Sequence, residues 1–475
     1  MKNSNPGAAR RAGPLTVGLG LGLGWSLAIA CPTLPSASVE ALTAAAAMQR
    51  VGDCHPDVLA ARDALRGAAA DVTTAGQAPN PQLTVGAGSM SGARGGIGGG
   101  SLWSKTFDHQ LRVDQLLERG GKAEARRAAA TAQREAARLT LADTLRQAEA
   151  GVARLHADLW AAQARVQALS DSVQASEQSL KALERRVAAG DAPAADVMRF
   201  RADHARAQAD LQQARGDARA LQIQLAAAIG ALPQADRLQA ERPANPETTT
   251  ETTPEAPPTA SASPRAGEAE VERLAQRADL QAAEQRLRAA EHSRDVAQAL
   301  RTRDVNVGLQ VDHYPASAAN PSGSGNTLSV SVSVPLMVRH AYDGEIARAQ
   351  ADVDAARNAY ERSRELALAD LQRLRGQLDA AQTRYRLAAT ELEPAATQLA
   401  TALERAYQRG GVGSLELLEA RRNQRAAQVE RITAEAEQAK ARADWAAALR
   451  LPDDASSPAA LAPPSSPVAA PAAAR

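Results

Sequence analysis

Few residues in this chain combine type and spacing in a way that could do chemistry, and its two cysteines come first. Cys31 closes Leu27-Ala28-Ile29-Ala30-Cys31, which resembles the lipobox at which a diacylglyceryl group is joined to a cysteine. The alternatives are ordinary cleavage after Ala30 or near Ala37-Ser38. Cys54 opens Cys54-His55-Pro56-Asp57, three metal-ligand types within four residues. Pro56 intervenes and no further ligands cluster nearby, so a helix start explains this string better than a metal site. Once the leader is removed, a single remaining Cys54 leaves no intrachain disulfide framework to expect. No nucleophile–base pair, phosphate loop or dinucleotide fingerprint stands out, so neither catalysis nor a cofactor is expected.

A different set of polar residues is ordered by its neighbours. Arg112 and Asp114 alternate with Leu111 and Val113; Gln310 and Asp312 alternate with Leu309 and Val311. The same period of two runs through Leu83, Val85 and Ala87, and through Leu328, Val330, Val332 and Val334. These are four strands of about seven to ten residues, apolar on one face and polar on the other. A half-buried soluble sheet alternates in this way. So does a tilted membrane strand with lipid on one side and water on the other. The chain offers no aromatic or amphipathic layer obviously destined to cover the apolar face, and an N-terminus that reads as an export signal tips the balance toward the outer membrane. Arg112, Asp114, Gln310 and Asp312 are then candidate lumen residues. His109 and His313 are candidates for the mouth, and Trp103 and Phe107 for the lipid–water boundary.

The strands are set between helices too long for a globule. Leu141, Leu145, Ala148, Val152, Leu155, Leu159, Ala162, Val166, Leu169, Val173, Leu180, Leu183 and Val187 step by three and four along one seam, with Ser176 the only polar interruption. That is the heptad period of a coiled coil. Counted from Glu118 to Val187, the helix would be about 100 Å long. A second seam runs from Leu371 through Leu392, Ala395 and Leu399 to Ala406, with Pro394 a place for a kink. Each helix meets a turn, Gly190-Asp191-Ala192-Pro193 or Gly410-Gly411-Val412-Gly413, and a second helix follows. Short turns make the partners antiparallel, giving two long hairpins with tight tips. His204 lies on the returning seam beside Phe200 and Ala207, as a packing residue.

Helices and strands recur because the chain repeats itself. Residues 57–86 overlay residues 279–308 without a gap, and Leu183-Glu184-Arg185, Gly190 and Arg201 fall on Leu403-Glu404-Arg405, Gly410 and Arg421. The expected organisation is a signal region (1–38), a helix–strand–strand–helix repeat (39–240), a Pro/Thr/Ser/Glu-rich disordered linker (241–266), a second repeat (267–451) and a disordered tail (452–475).

Composition agrees with long packed helices. Of the 475 residues 44% are apolar but only 2% aromatic, and Ala carries much of the apolar share. A net charge of +1 provides no basic field for nucleic acid. Arg10-Arg11 and the apolar run from Leu15 to Ala30 resemble an export signal, too short and glycine-broken for a spanning helix.

Four strands cannot close a barrel, and open sheet edges cannot face hydrocarbon, where backbone groups find no water. The chain must therefore oligomerise for its strands to cross a membrane. Three copies would supply twelve strands; sequence alone does not separate dimer from trimer.

At this point the chain resembles the TolC-like outer-membrane efflux factors, over about residues 39–451. The resemblance is carried by His55-Pro56-Asp57-Val58, Pro79-Asn80-Pro81, Asp114-Gln115, Gly120-Gly121-Lys122 with Arg126, Val332-Ser333-Val334-Pro335-Leu336, Gly344-Glu345-Ile346 and the two tips. Cys54 stands where Asn is common in that family, and Leu116 where Pro is. The resemblance implies a homotrimer with a twelve-stranded barrel in outer-membrane lipid and a helical tunnel through the periplasm. It implies outward loops at 90–107 and 314–326. It also implies partners at the tips Gly190, Asp191, Ala192, Gly410, Gly411, Val412 and Gly413: a periplasmic adaptor protein and an inner-membrane efflux pump. The stretch Gly344-Glu345-Ile346-Ala347-Arg348-Ala349 is more similar to the heavy-metal cation branch. The competing reading is a periplasmic adaptor or coiled-coil scaffold, which usually carries one hairpin per chain.

Overall fold

The computed structural model describes residues 31, 34–35, 39, 41–88, 107–190, 193–244, 274–315 and 325–450. The signal region to residue 30, the linker from 245 to 266, Asp191, Ala192 and the tail from 451 lie outside them, as do 89–106 and 316–324 in the two expected loops.

In chain order the helices are α1 (Ala44–Gln49), α2 (Val51–Cys54) and α3 (Pro56–Ala75). Strands β1 (Gln82–Gly88) and β2 (Asp108–Leu117) follow, then α4 (Lys122–Ala188) and α5 (Ala194–Ala228). The second half runs α6 (Ala278–Ala299), β3 (Val305–Tyr314), β4 (Gly325–Ser333), α7 (Asp343–Leu387), α8 (Glu393–Gln408) and α9 (Ser414–Ala448).

Helix α4 has 67 residues, so it is about 100 Å long. It starts at Lys122 rather than Glu118, because the preceding residues make the turn out of β2. Gly121 there is left-handed (φ 73°), and Glu118 is gripped by Arg126 at 2.6 and 2.8 Å. No proline interrupts α4, and its seam buries Leu141, Leu145, Val152, Leu159, Leu169 and Leu183 against α3, α5 and α6. Leu159 is fully buried, so truncating it to Ala should cost about 2–5 kcal/mol. Ser176, the polar interruption, is satisfied by the other seam: its Oγ lies 2.8 Å from His204 Nδ1. His204 Nε2 accepts from Gln208 Nε2 at 2.9 Å, so Nδ1 carries the ring proton and donates to Ser176.

The second long helix departs from its expected course. Between α7 and α8, residues Ala388–Leu392 form a π-turn, and Pro394 lies in the first turn of α8. A π-turn admits one extra residue, which rotates everything beyond it by about 100°. The seam is followed through Leu371, Leu374 and Ala388, all buried, and then lost. Leu392, Ala395, Leu399 and Ala402 are exposed, and Ala400 is buried instead.

The principal core joins both ends of the first repeat. Val39, Leu42, Ala47, Val51 and Val58 from the N-terminal segment pack on Leu141, Leu145, Val152 and Leu159 of α4, and on Leu225, Ile229 and Leu238. A second cluster near the tips unites the hairpins: Leu183, Val197 and Phe200 meet Leu417 and Leu418. Among the described residues no helix is long and apolar enough to cross a membrane.

Candidate functional site

The four strands form one antiparallel sheet in the order β1-β2-β3-β4. The register pairs apolar with apolar across every ladder: Leu83 with Val113, Val85 with Leu111, Leu111 with Val311, Val113 with Leu309, Leu309 with Val330 and Val311 with Leu328. Among the described residues nothing covers that face. Val85 is 74% exposed, Val330 71% and Leu328 67%. Within the described chain, β1 and β4 each have one edge without a partner strand.

The opposite face brings together all four polar residues expected there. Arg112 and Gln310 are register partners, as are Gln110 and Asp312. Arg112 binds Asp114 in bidentate fashion, Nε to Oδ2 at 2.7 Å and Nη2 to Oδ1 at 2.8 Å. Its Nη1 donates to Gln310 Oε1 at 3.4 Å and Nη2 to Ser331 Oγ at 3.3 Å. Gln310 Nε2 donates to Asp312 at 2.9 and 3.0 Å, and Asn306 Nδ2 to Asp114 Oδ1 at 3.2 Å. Asn306 and Ser331 were not singled out from sequence, since their types are ordinary on a wet strand face. The network rests on Gly308, where a Cβ would stand 2.6 Å from Ser331 Oγ and 2.7 Å from Asp114 Oδ1.

The expectation that His109 and His313 line a mouth is corrected by parity. They are register partners with ring centroids 5.9 Å apart, on the face that carries Leu111 and Val311. His313 Nδ1 lies 2.7 Å from Asn326 Oδ1, and the Phe107 ring lies 4.6 Å from that of His109. Trp103 lies outside the described residues.

At the far end of the helices Gly190, Gly410, Gly411 and Gly413 are exposed. Gly190 and Gly410 take the left-handed conformation, φ 82° and 77°, that lets each chain turn back. Their amides donate to Val187 O (3.0 Å) and Tyr407 O (3.1 Å), and Gly413 N donates to Glu416 Oε2 at 3.2 Å. The repeat is visible in side chains: Arg201 pairs with Glu184 at 2.9 Å, and its counterpart Arg421 pairs with Glu404 at 2.6 Å. The hairpins are linked to each other as well. Ser414 Oγ donates to Asp196 at 2.8 Å, Arg421 Nη1 to Ser179 Oγ at 2.6 Å, and Arg422 Nε to Asp203 at 2.8 Å.

The sequence pattern of the family described as "Outer membrane efflux protein" matches residues 48–231 and 271–449, most of the chain. The chain belongs to that family. Comparison with curated protein sequences gave no match. Solved structures share its fold at low identity. VceC of Vibrio cholerae is 19% identical, over 86% of this chain and 95% of that one, with a TM-score of 0.67. CmeC, an outer membrane channel of Campylobacter jejuni, is 14% identical over 86% and 85%, at 0.69. The open state of the Neisseria gonorrhoeae channel MtrE is 16% identical over 85% and 88%, at 0.66. The efflux-family match sets aside the adaptor or scaffold reading, and the family is one of channels rather than enzymes.

One sequence-based expectation fails outright. Cys54 does not leave the chain without a disulfide: it is bonded to Cys31, with Cα atoms 5.6 Å apart. Leu34, Val39 and Leu42 pair with Gln234 and Gln239, and Cys31 lies against Gly230 beside Cys54. The available signal was the count of two cysteines in the chain, an even number. His55, beside the pair, caps α3 through Nδ1, which accepts from Asp57 N at 3.3 Å. Among the described residues no group of three or more His, Cys, Asp or Glu could hold a metal ion.

Proposed function

We propose that three copies of this chain close a twelve-stranded barrel in the outer membrane and continue it as a tube of helices into the periplasm. The observation that carries this reading is the sheet: an uncovered apolar face with an unpartnered edge on β1 and on β4. In hydrocarbon such edges must be sealed by other strands, and a single chain of four has none to give. Arg112, Asp114, Gln310 and Asp312 then face the lumen.

The assembly is a passive exit duct. Its substrates are delivered by an inner-membrane pump through a periplasmic adaptor, which docks at Gly190, Asp191, Ala192 and residues 410–413. A finer reading, that the cargo is heavy-metal cations, rests on residues 344–349 alone, and loss of metal tolerance on gene deletion tests it. The assembly itself is tested by membrane fractionation and heat-modifiable migration in detergent. Recovery in the outer membrane as an oligomer that dissociates on boiling supports it; a water-soluble monomer rejects it.

A further inference from the structure

We infer that Cys31 and Cys54 are an oxidised pair in the exported chain, and that Cys31 is therefore a covalent staple rather than an acylation site. Its Sγ has one free valence. A thioether to a glyceryl group and a disulfide exclude each other.

Three observations favour the disulfide. The Cα atoms stand 5.6 Å apart, within the ordinary range for a bridged pair. The packing around them is built for contact: Gly230, with φ 66°, passes so close that a Cβ there would meet Cys31 Sγ at 2.8 Å and Cys54 Cβ at 3.0 Å.

The third observation is distance. The chain after Cys31 is pinned independently of the disulfide. Leu34 N donates to Gln234 Oε1 at 3.0 Å, and Gln234 Nε2 donates back to Leu34 O at 2.9 Å. Leu34, Val39 and Leu42 are all buried in the principal core. Three residues of leash from Leu34 give Cys31 a reach of about 10 Å. Helix α3, with 20 residues packed along α4, separates Cys54 from the entrance to β1 by about 30 Å. Acyl chains on a Cys31 held here would spend their length crossing that gap along the helices rather than entering the strands' lipid level.

The chemistry needs an oxidant and the periplasm holds one class of it. The two thiols give up two protons and two electrons to a disulfide-bonded exchange protein, which leaves as a dithiol while the Cys31–Cys54 bond forms. The inference rests on export, and on the membrane reading only for the distance argument.

The test is peptide mapping of the exported full-length product after alkylation without reductant. The expected result is a Cys31 peptide linked to a Cys54 peptide, zero alkylated thiols per chain, and no acyl mass. Cys54→Ser should expose one alkylatable Cys31 thiol, and a host lacking its periplasmic thiol oxidase should yield two in the unaltered chain. A diacylglyceryl adduct on Cys31, a Cys54 thiol that alkylates directly, or a mature chain starting beyond Cys31 overturns the inference. Heat-modifiable migration of the same sample reads the barrel separately, so failure of one reading is not mistaken for failure of the other.

Discussion

Asp203 on α5 accepts from the Arg422 guanidinium of α9 at 2.8 Å, although 219 residues separate them in the chain. The carboxylate is buried (9% side-chain exposure) and the guanidinium half-exposed (46%), so the pair ties hairpin to hairpin just behind the tips. Ser414–Asp196 and Arg421–Ser179 lie beside it. If the duct opens by the hairpins parting at their tips, these links hold it shut.

Asp203→Asn should therefore loosen the closed state by about 1–2 kcal/mol, discounted for the exposure of Arg422. The expected outcome is a several-fold rise in passive conductance of the purified oligomer in planar bilayers, with unchanged heat-modifiable migration. Unchanged conductance in both Asp203→Asn and Arg422→Ala would remove this pair from the gate.

Docking at the tips is best tested at Gly413. A Cβ there meets nothing within 4 Å, and its φ of −79° suits any residue, whereas Gly410 at φ 77° would strain a side chain. Gly413→Trp should add bulk without unfolding the hairpin. Loss of adaptor crosslinking and of efflux, with normal outer-membrane insertion, is expected. Retained crosslinking would move the docking site elsewhere.

The polar strand face provides a contrast between two substitutions. Gly308→Val would drive a side chain into Ser331, Asp114 and Arg112, so it should abolish assembly of heat-modifiable oligomer. Arg112→Gln keeps a polar, hydrogen-bonding side chain but removes the cation that neutralises Asp114. It should assemble normally and shift the reversal potential toward cations in a salt gradient. No shift would mean that the face does not line the conduction path.

Buried His156 gives a pH dependence. Burial holds its imidazole below the usual range, opposed by the hydrogen bond to Leu42 O and by the charge of Glu241. Leu42 O can only accept, so Nε2 carries the proton and donates at 2.7 Å. Because the unfolded chain takes a proton more readily, stability from the neutral ring is complete above the ordinary value of about 6.5 and is lost as pH falls toward the depressed folded value. The thermal midpoint should drop between pH 7.5 and pH 5, and His156→Gln should narrow that drop. An equal drop in both proteins would assign the acid sensitivity to other groups.

By itself the sequence determined whatever has a local period. Alternation along Leu309-Gln310-Val311-Asp312 sets which face of a strand is apolar, whatever the strand pairs with, and the seam from Leu141 to Val187 sets a helix of about 100 Å. Gly190 and Gly410 mark turns because few other residues take a positive φ there. Only the tertiary structure decided which distant groups meet. Arg112 finds Gln310 because β2 of one repeat pairs with β3 of the other; Asp203 finds Arg422, and Cys31 finds Cys54, because separate segments pack side by side. No periodicity encodes such meetings. The π-turn at Ala388–Leu392 shows the limit of local patterns, since one added residue takes Leu392 and Leu399 off the buried face. Their place on the heptad seam gave no sign of it.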